Sequence, residues 1–585
     1  MLKRSLAIIL ALLVFIGGFL LLTRSVKPAL PDLEPSAEKN RIAYLPLDDR
    51  PDNADRVIYL AQSLGYELKM PDADLYRTRL NGQPLNENGT QYGDRAKLYE
   101  WLVSQENEGC DRYIISLDQL LSGGLVSSRA MTGTEKIVLS DGETVSDTEL
   151  LEMLVDTLSS DKNNCVWLLD TVMRLAPTVG YMEWTGEEYN AMRAYGAEAR
   201  PELTGADLSV ENIINNYKLG SDGIELPLPD GMETRQLAEY LSSRERKLRL
   251  SDRLLRLMDR DSAGIFRVLT GIDDSSEEFS IQRSEIAYLR GGLRDCDALL
   301  SGVDDMAFKA VARLYLDEIG WDGAEVKVQY FGGTEDRPAC EYDYSPLVDI
   351  MHEHEEFFGL TESDSAELQV IVLTQPEDEG KLKSYKNGLI SAVKESLADN
   401  KPTVLIDASN FSYGETVHDA LTREVDLGSL VSYAGYLDMA IVSGTALSHG
   451  VARYAYLRQG ETDTEAERAF MKSLADSLII DLCFRTKVRN VIAAKVREDG
   501  GSTDNFCVPE MDIASLEKLL GEKMAKESGK VIKNLENSPV VSALSPSGVM
   551  KWGSIEIRDC RFPWSRVFEM AMEIEPSLPE AARAK

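Results

Sequence analysis

Acids placed where strands should end are the residues of this chain best able to do chemistry. Leu45-Pro46-Leu47-Asp48-Asp49-Arg50-Pro51-Asp52 follows the apolar run Ile42 to Tyr44, and a short apolar run closing on acids recurs at Ile114 to Asp118, Val166 to Asp170, Val268 to Asp274 and Val404 to Asp407. In an α/β protein the carboxyl ends of strands hold the chemistry, so a shared acidic pocket is the expectation. Adjacent acids at a strand end point in different directions. At Asp48-Asp49 one can face a ligand while the other caps the next helix, with Pro51 in its first turn. Arg50 is placed to clamp a carboxylate or to hold Asp48 ionised; a helix cap with a surface ion pair reads equally well.

Asp118 is followed by Ser122-Gly123-Gly124-Leu125 and Arg129. Paired glycines let backbone amides approach a ligand, or simply make a tight turn, and no phosphate-loop lysine accompanies them. Arg174, in Arg174-Leu175-Ala176-Pro177, follows the fourth apolar run and can send a guanidinium toward the same pocket. The richest stretch is Asp273-Asp274 with Glu277, Glu278 and, on the following helix, Glu285, then Gly302-Val303-Asp304-Asp305. Two acid pairs at two strand ends suit a two-carboxylate hydrolase, with one carboxyl protonated and one ionised by its surroundings. They would equally suit a hard divalent cation held by oxygens. The catalytic candidates are therefore Asp48, Asp49, Asp118, Asp273, Asp274, Asp304 and Asp305; the ligand-contacting candidates are Arg50, Gly123, Gly124, Arg129, Arg174 and Glu285. No metal ligand set and no resident cofactor are assigned, with a divalent cation as the alternative. Histidine is scarce, only His352, His354, His418 and His449. The spacing of His352 and His354 is not that of a zinc protease helix, and no Gly-x-Ser-x-Gly elbow, dinucleotide fingerprint or phosphate loop is present.

These residues need a scaffold, and the pattern supplies one. Strand-like runs at 42–47, 66–70, 112–117, 165–169, 265–270, 296–300, 325–331, 368–374 and 403–406 alternate with helical periodicity such as Ala54 to Leu64 and Asp305 to Ile319. Alternation of this kind predicts an α/β protein of parallel sheets covered by helices. Nine strands exceed a single eight-stranded barrel, so two doubly wound lobes are expected, with an elaborated β/α barrel as the alternative. The first lobe is placed at 41–260, with a helical insertion at 186–258 that could be a lid or an outer wall. The second is placed at 261–460, and a mainly helical region at 461–585. At 585 residues the chain has ample length for two cores.

The net charge of −35, from 98 acids against 63 bases, opposes binding to a phosphate backbone, so nucleic acid is not an expected partner. Leu6 to Leu22 is almost wholly apolar behind Lys3 and Arg4, with no small-x-small cleavage site after it. It reads as an uncleaved single-pass membrane anchor over residues 1–27, followed by an extended spacer at 28–40, with the body outside the cytoplasm. Seven cysteines stand singly, so neither a disulfide framework nor a zinc knuckle is visible.

Leu45 to Pro51, Asp118 through Gly123-Gly124-Leu125 to Ser128-Arg129, Arg174 to Pro177, Asp273-Asp274 with Glu285, Gly302 to Asp305, and Phe562-Pro563-Trp564-Ser565-Arg566-Val567-Phe568-Glu569 occur in one order. Together they resemble a bacterial group known as domain of unknown function family 4127, across about residues 41 to 570. Where such proteins carry Gly-Trp-Asn-Thr followed by Asn and Gly-Thr-Ala, this chain has Leu437 and Ile441 in place of the two amides, with Asp438 between them able to stand in as a ligand contact. Three functions follow as expectations. The first is an extracytoplasmic carboxylate-dependent hydrolase, glycoside-hydrolase-like, of a sugar-containing envelope or scavenged substrate. The second is a tethered protein that binds a small molecule or carbohydrate on a degraded enzyme fold. The third is a metal-dependent phosphoester or amide hydrolase.

Overall fold

The computed structural model describes residues 40–577 apart from 183, 277–279, 437, 461–462 and 542–548. Every strand-like run forms a strand. The first part contributes β1 (Asn40–Leu45), β2 (Tyr66–Lys69), β3 (Arg112–Ser116), a small antiparallel pair β4 (Ile137–Val138) and β5 (Thr144–Val145), then β6 (Cys165–Val172), β7 (Phe266–Ile272) and β8 (Ala298–Ser301). Six of these make a parallel sheet in the order β2-β1-β3-β6-β7-β8. A second parallel sheet has the order β10-β9-β11-β12-β13, from β9 (Ala324–Phe331), β10 (Leu360–Glu362), β11 (Leu368–Thr374), β12 (Thr403–Ala408) and β13 (Ser432–Gly435).

Leu368-Gln369-Val370-Ile371-Val372-Leu373-Thr374 is buried along its whole length, as a parallel strand covered on both faces must be. In β1 the alternation is explicit. Ile42 and Tyr44 pack with Val57 and Leu60 of the Asp55–Ser63 helix, while Ala43 and Leu45 face Leu98 and Leu102 on the other side. The core that takes Ile42, Tyr44 and Leu269 from the first sheet also takes Val326, Val370 and Ile406 from the second, with the helices Met306–Glu318 and Met439–Gln459 between them. The two doubly wound lobes thus share a central layer of helices, and no barrel closes.

Three expectations change. β7 and β8 pair into the first sheet, so the sheet changes between Ser301 and Ala324 and not near residue 260. The long insertion between β6 and β7 interrupts the first lobe without ending it. Its last helix, Thr234–Met258, lays Leu250, Leu254 and Leu257 on the outer face of the sheet beside Val166 and Val268, which makes it an outer wall and no lid. The transmembrane anchor is not carried forward: no helix among the described residues is long and apolar enough to cross a membrane. The segment on which that expectation rested, residues 1–27, lies outside the described residues, as does most of the 28–40 spacer.

The C-terminal region is helical over Thr464–Ile479, a π-helix at Ile480–Val488, Arg489–Glu498 and Ile513–Asn537. It ends in an antiparallel hairpin, Ile555–Arg561 with Ala571–Pro576, whose connecting loop turns back toward both sheets. All seven cysteines are free.

Candidate active site

Loops leaving the carboxyl ends of both sheets converge on one cleft of about 370 Å³. The first sheet sends Arg50 after β1, Arg174 after β6, Asp273 and Asp274 after β7 and Asp304 after β8, while Arg129 comes from the segment beyond β3. The second sheet adds Asp343, Phe411, Tyr436 and Asp438; Arg485, Arg489 and the hairpin loop with Trp564 and Arg566 close the remaining side.

Arg50 is the tie between β1 and β8. Its Nη1 donates to Asp304 at 2.8 Å, its Nη2 to Asp48 at 2.7 Å, and its guanidinium lies 5.0 Å from the Trp564 ring centroid. Asn53 donates to the same two acids at 3.2 Å. Burial, helped by the negative Asp48, lifts Asp304 to about 6 against the pull of Arg50. Asp49 points away from Asp48 and accepts from Trp564 Nε1 at 2.8 Å and the Thr78 amide at 3.1 Å; burial lifts it to about 6 as well.

Arg129 Nε donates to Asp273 at 3.0 Å, and its Nη1 to Thr178 at 2.9 Å. Arg174 donates to Asp274 at 2.9 Å, while the carbonyls of Ala176 and Pro177 take its other N–H groups at 2.8 Å. Against burial, which pushes it up, Arg174 and then Arg129 hold Asp274 below the usual carboxylate range. Asp438 hydrogen-bonds to Asp274 from across the cleft. Burial, and then the charges of Asp274 and Asp343, push Asp438 well above the carboxylate range. One proton is therefore shared by an ionised Asp274 and a protonated Asp438, as in dyads that catalyse proton transfer. Asp343 braces this side: its Oδ2 accepts the Ala339 and Cys340 amides at 3.0 Å and its Oδ1 the Ala440 amide at 3.3 Å, with burial lifting it to about 6.

The backbone is strained at the cleft. Asn410 (φ 46°), Phe411 (φ 63°) and Tyr436 (φ 67°) hold left-handed conformations that bulky residues avoid, and all three line it. Such strain persists where the surroundings fix it, commonly at ligand sites. Arg485 projects from the π-helix, a rare element often found at functional sites.

Over residues 42–573, nearly all of the described chain, the sequence matches the family described as "Protein of unknown function (DUF4127)". The chain belongs to that family. No curated protein and no solved structure matches it. The family brings no activity with it, so the cleft itself must carry the functional argument for this DUF4127 protein.

Of the residues expected from the sequence, the cleft gathers Arg50, Arg129, Arg174, Asp273, Asp274, Asp304 and Asp438. Asp48 and Asp49 stand behind Arg50 and Trp564 and hold them in place. The others are corrected. Asp118 is buried under the outer helix, paired with Lys247 at 2.8 Å and accepting from Thr171 at 2.7 Å. Asp305 is fully buried against Lys309 at 2.8 Å, in the central helical layer beside Gly444. Glu285 takes a bidentate Arg244 at 2.6 and 2.7 Å and the Tyr217 hydroxyl at 2.6 Å. Gly123 and Gly124 turn the chain between two short helices outside the cleft lining, and a side chain at Gly123 would strike the Gly93 backbone at 2.8 Å. Glu277, Glu278 and Leu437 lie outside the described residues. Among the described residues no group of three or more His, Cys, Asp or Glu is arranged to hold a metal ion.

Sequence reasoning missed Asp343, Phe411, Tyr436, Arg485, Arg489, Trp564 and Arg566. Trp564 and Arg566 lie in a motif that marks the family resemblance, which was a usable signal; the left-handed backbone at Phe411 and Tyr436 has none in the sequence.

Proposed function

We propose that this DUF4127 protein is a carboxylate-dependent hydrolase of a sugar-containing substrate. The carrying observation is the hydrogen-bonded Asp274–Asp438 pair on the cleft wall, in which Arg174 and Arg129 favour the charge on Asp274 and burial favours the proton on Asp438. Asp438 is the general acid that protonates the leaving-group oxygen, and Asp274 is the positioning residue that keeps the proton there. Glycosidases set their two working carboxyls about 5 Å or more apart, wider than a hydrogen-bonded pair. The second carboxyl is therefore Asp304, held by Arg50, which accepts the proton of the attacking water. Phe568, Phe411 and Tyr342 offer aromatic faces on the cleft wall, suited to the apolar faces of sugar rings.

The test is product release from a panel of aryl glycosides and oligosaccharides by the full chain and by Asp438→Asn. Hydrolysis of at least one sugar, reduced about 10²- to 10⁴-fold in a variant of unchanged circular dichroism, is expected from loss of a general acid. A second reading, ligand capture without turnover, is favoured by Ile441, which lines the cleft where the resembling proteins carry an amide. Saturable sugar binding with no product from any substrate would select it.

A further inference from the structure

Six arginines line the cleft, Arg50, Arg129, Arg174, Arg485, Arg489 and Arg566, and four of them are already neutralised. Arg50 is held by Asp48 and Asp304, Arg129 by Asp273, Arg174 by Asp274, and Arg485 by Asp52 at 2.9 Å and Asp481 at 2.6 Å. Arg566 is only loosely paired, 3.9 Å from Glu569, and its Nε is buried with no hydrogen-bond partner. Arg489 is half-buried and no acid among the described residues pairs with it; its near neighbours in charge are Arg485, of like sign, and the uncharged Tyr436. The Tyr436 hydroxyl is itself buried without a partner.

Charged groups withdrawn from water are normally paired, because desolvation without a counter-charge is costly. On a chain of net charge −35 an acid could readily have evolved beside Arg489. The wall around it is instead made of strained, aromatic backbone, Phe411 and Tyr436, whose rings meet edge to face at 5.2 Å. This is a cationic, aromatic stretch of the cleft wall.

Resting on the hydrolase reading, we propose that the substrate is an acidic saccharide whose carboxylate is received by Arg489, with Arg566 adding positive charge to the same cleft and Phe411 and Tyr436 packing against the sugar. A guanidinium fork matches a carboxylate with two parallel hydrogen bonds. Counting Glu569 against Arg566, the formal surplus of Arg489 and Arg566 is one positive charge, which matches a singly charged carboxylate.

The experiment is calorimetric titration of full-length protein carrying Asp438→Asn, which removes turnover from the readout, with methyl glucuronide, methyl glucoside and glucose 6-phosphate. Methyl glucuronide is expected to bind at least tenfold more tightly than the neutral glucoside, and Arg489→Gln to abolish that preference; Arg566→Gln should reduce it, which keeps the inference testable if one variant fails to fold. Equal affinity for glucuronide and glucoside, no binding of glucuronide, tighter binding of the phosphate, or a preference untouched by both substitutions would each overturn it. Preferential glucuronide binding by a protein that hydrolyses no sugar would retain this inference while removing the hydrolase reading.

Discussion

Two regions of this molecule are built from the same residue types at the same kind of place, and they do different things. Beneath the first sheet, Asp118 and Asp170 share Lys247, and Glu285 closes on Arg244, every partner buried. At the open end of the sheets, Asp273, Asp274 and Asp304 meet Arg129, Arg174 and Arg50 around a cleft. The buried set is closed, with each acid held by a base inside the protein. The cleft set is open, with an extra acid, Asp438, that burial and its neighbours push toward keeping its proton, and an arginine, Arg489, that no acid among the described residues pairs with. An acid at a strand end is thus not yet a catalytic acid. What separates the two is whether the next layer of structure completes its pairing.

The regions are also mechanically joined. Arg244 donates to the carbonyls of Met173 and Arg174 at 2.9 Å while it holds Glu285, so the buried set fixes the loop from which Arg174 reaches Asp274. A change in the cleft should nonetheless act first on chemistry and a change in the buried set first on folding, and variants can test that division.

The largest effect is expected at Asp274→Asn. Asp438 is raised by burial and then by the negative Asp274; without that charge its pKa falls, and the protonated acid is lost at lower pH. Turnover should drop about 100-fold or more at neutral pH, and the alkaline limb of the pH–rate profile should move to lower pH, in a variant whose circular dichroism shows it folded. An unmoved limb would break the assignment of Asp274 as the positioning residue. Glu285→Ala should do the reverse. It leaves Arg244 buried with no charge partner, a loss of about 3–5 kcal/mol read from the denaturant midpoint. Sugar binding by the fraction still folded should persist.

How legible this contrast was in the sequence depends on which structural layer decides it. Parallel strands covered on both faces are near-continuous apolar runs, so β6, β11 and their neighbours stood out, and the rule that acids follow such strands found Asp273, Asp274 and Asp304. β13 escaped because Ser432-Tyr433-Ala434-Gly435 is short and half of it lacks a sizeable side chain. Asp118 obeys the strand-end rule yet fails it in function, because a helix starts at once at Leu117 and turns the carboxylate under the sheet to Lys247, a partner on an insertion far along the chain. Nothing in the sequence around Arg489 marks it, because its setting depends on tertiary packing, which among the described residues brings it Arg485 and Tyr436 but no acid.

A smaller effect concerns pH and stability. Burial lifts Asp343 to about 6 while the amides of Cys340 and Ala440 partly oppose it, so between the unfolded value near 4 and about 6 the folded state holds more protons than the unfolded one. Stability from this group is therefore fully present below about 4, falls as pH rises through that window, and is flat above it. The shift of roughly two units corresponds to about 2–3 kcal/mol. Asp343→Asn should flatten the pH dependence of the thermal midpoint between pH 4 and 6 by a matching share; an unchanged slope would show that Asp343 does not gain its proton on folding.

The smallest effect tests the join between the C-terminal hairpin and the first sheet. Trp564 is almost fully buried, its Nε1 donates to Asp49 at 2.8 Å, and its ring packs beside the Arg50 guanidinium. Phenylalanine at this position keeps an aromatic face for Arg50 but removes the donor, leaving Asp49 with the Thr78 amide and the more distant Arg77 at 3.6 Å. A buried acceptor stripped of one donor costs about 1–3 kcal/mol. The missing hydrogen bond, which now lowers Asp49 against the effect of burial, should also let its pKa rise above about 6. Trp564→Phe is therefore expected to lower the thermal midpoint modestly at pH 7 and less at pH 5, where Asp49 is protonated in both proteins. An equal loss at both pH values would mean that the ring, and not the Nε1–Asp49 bond, fastens the hairpin over the cleft.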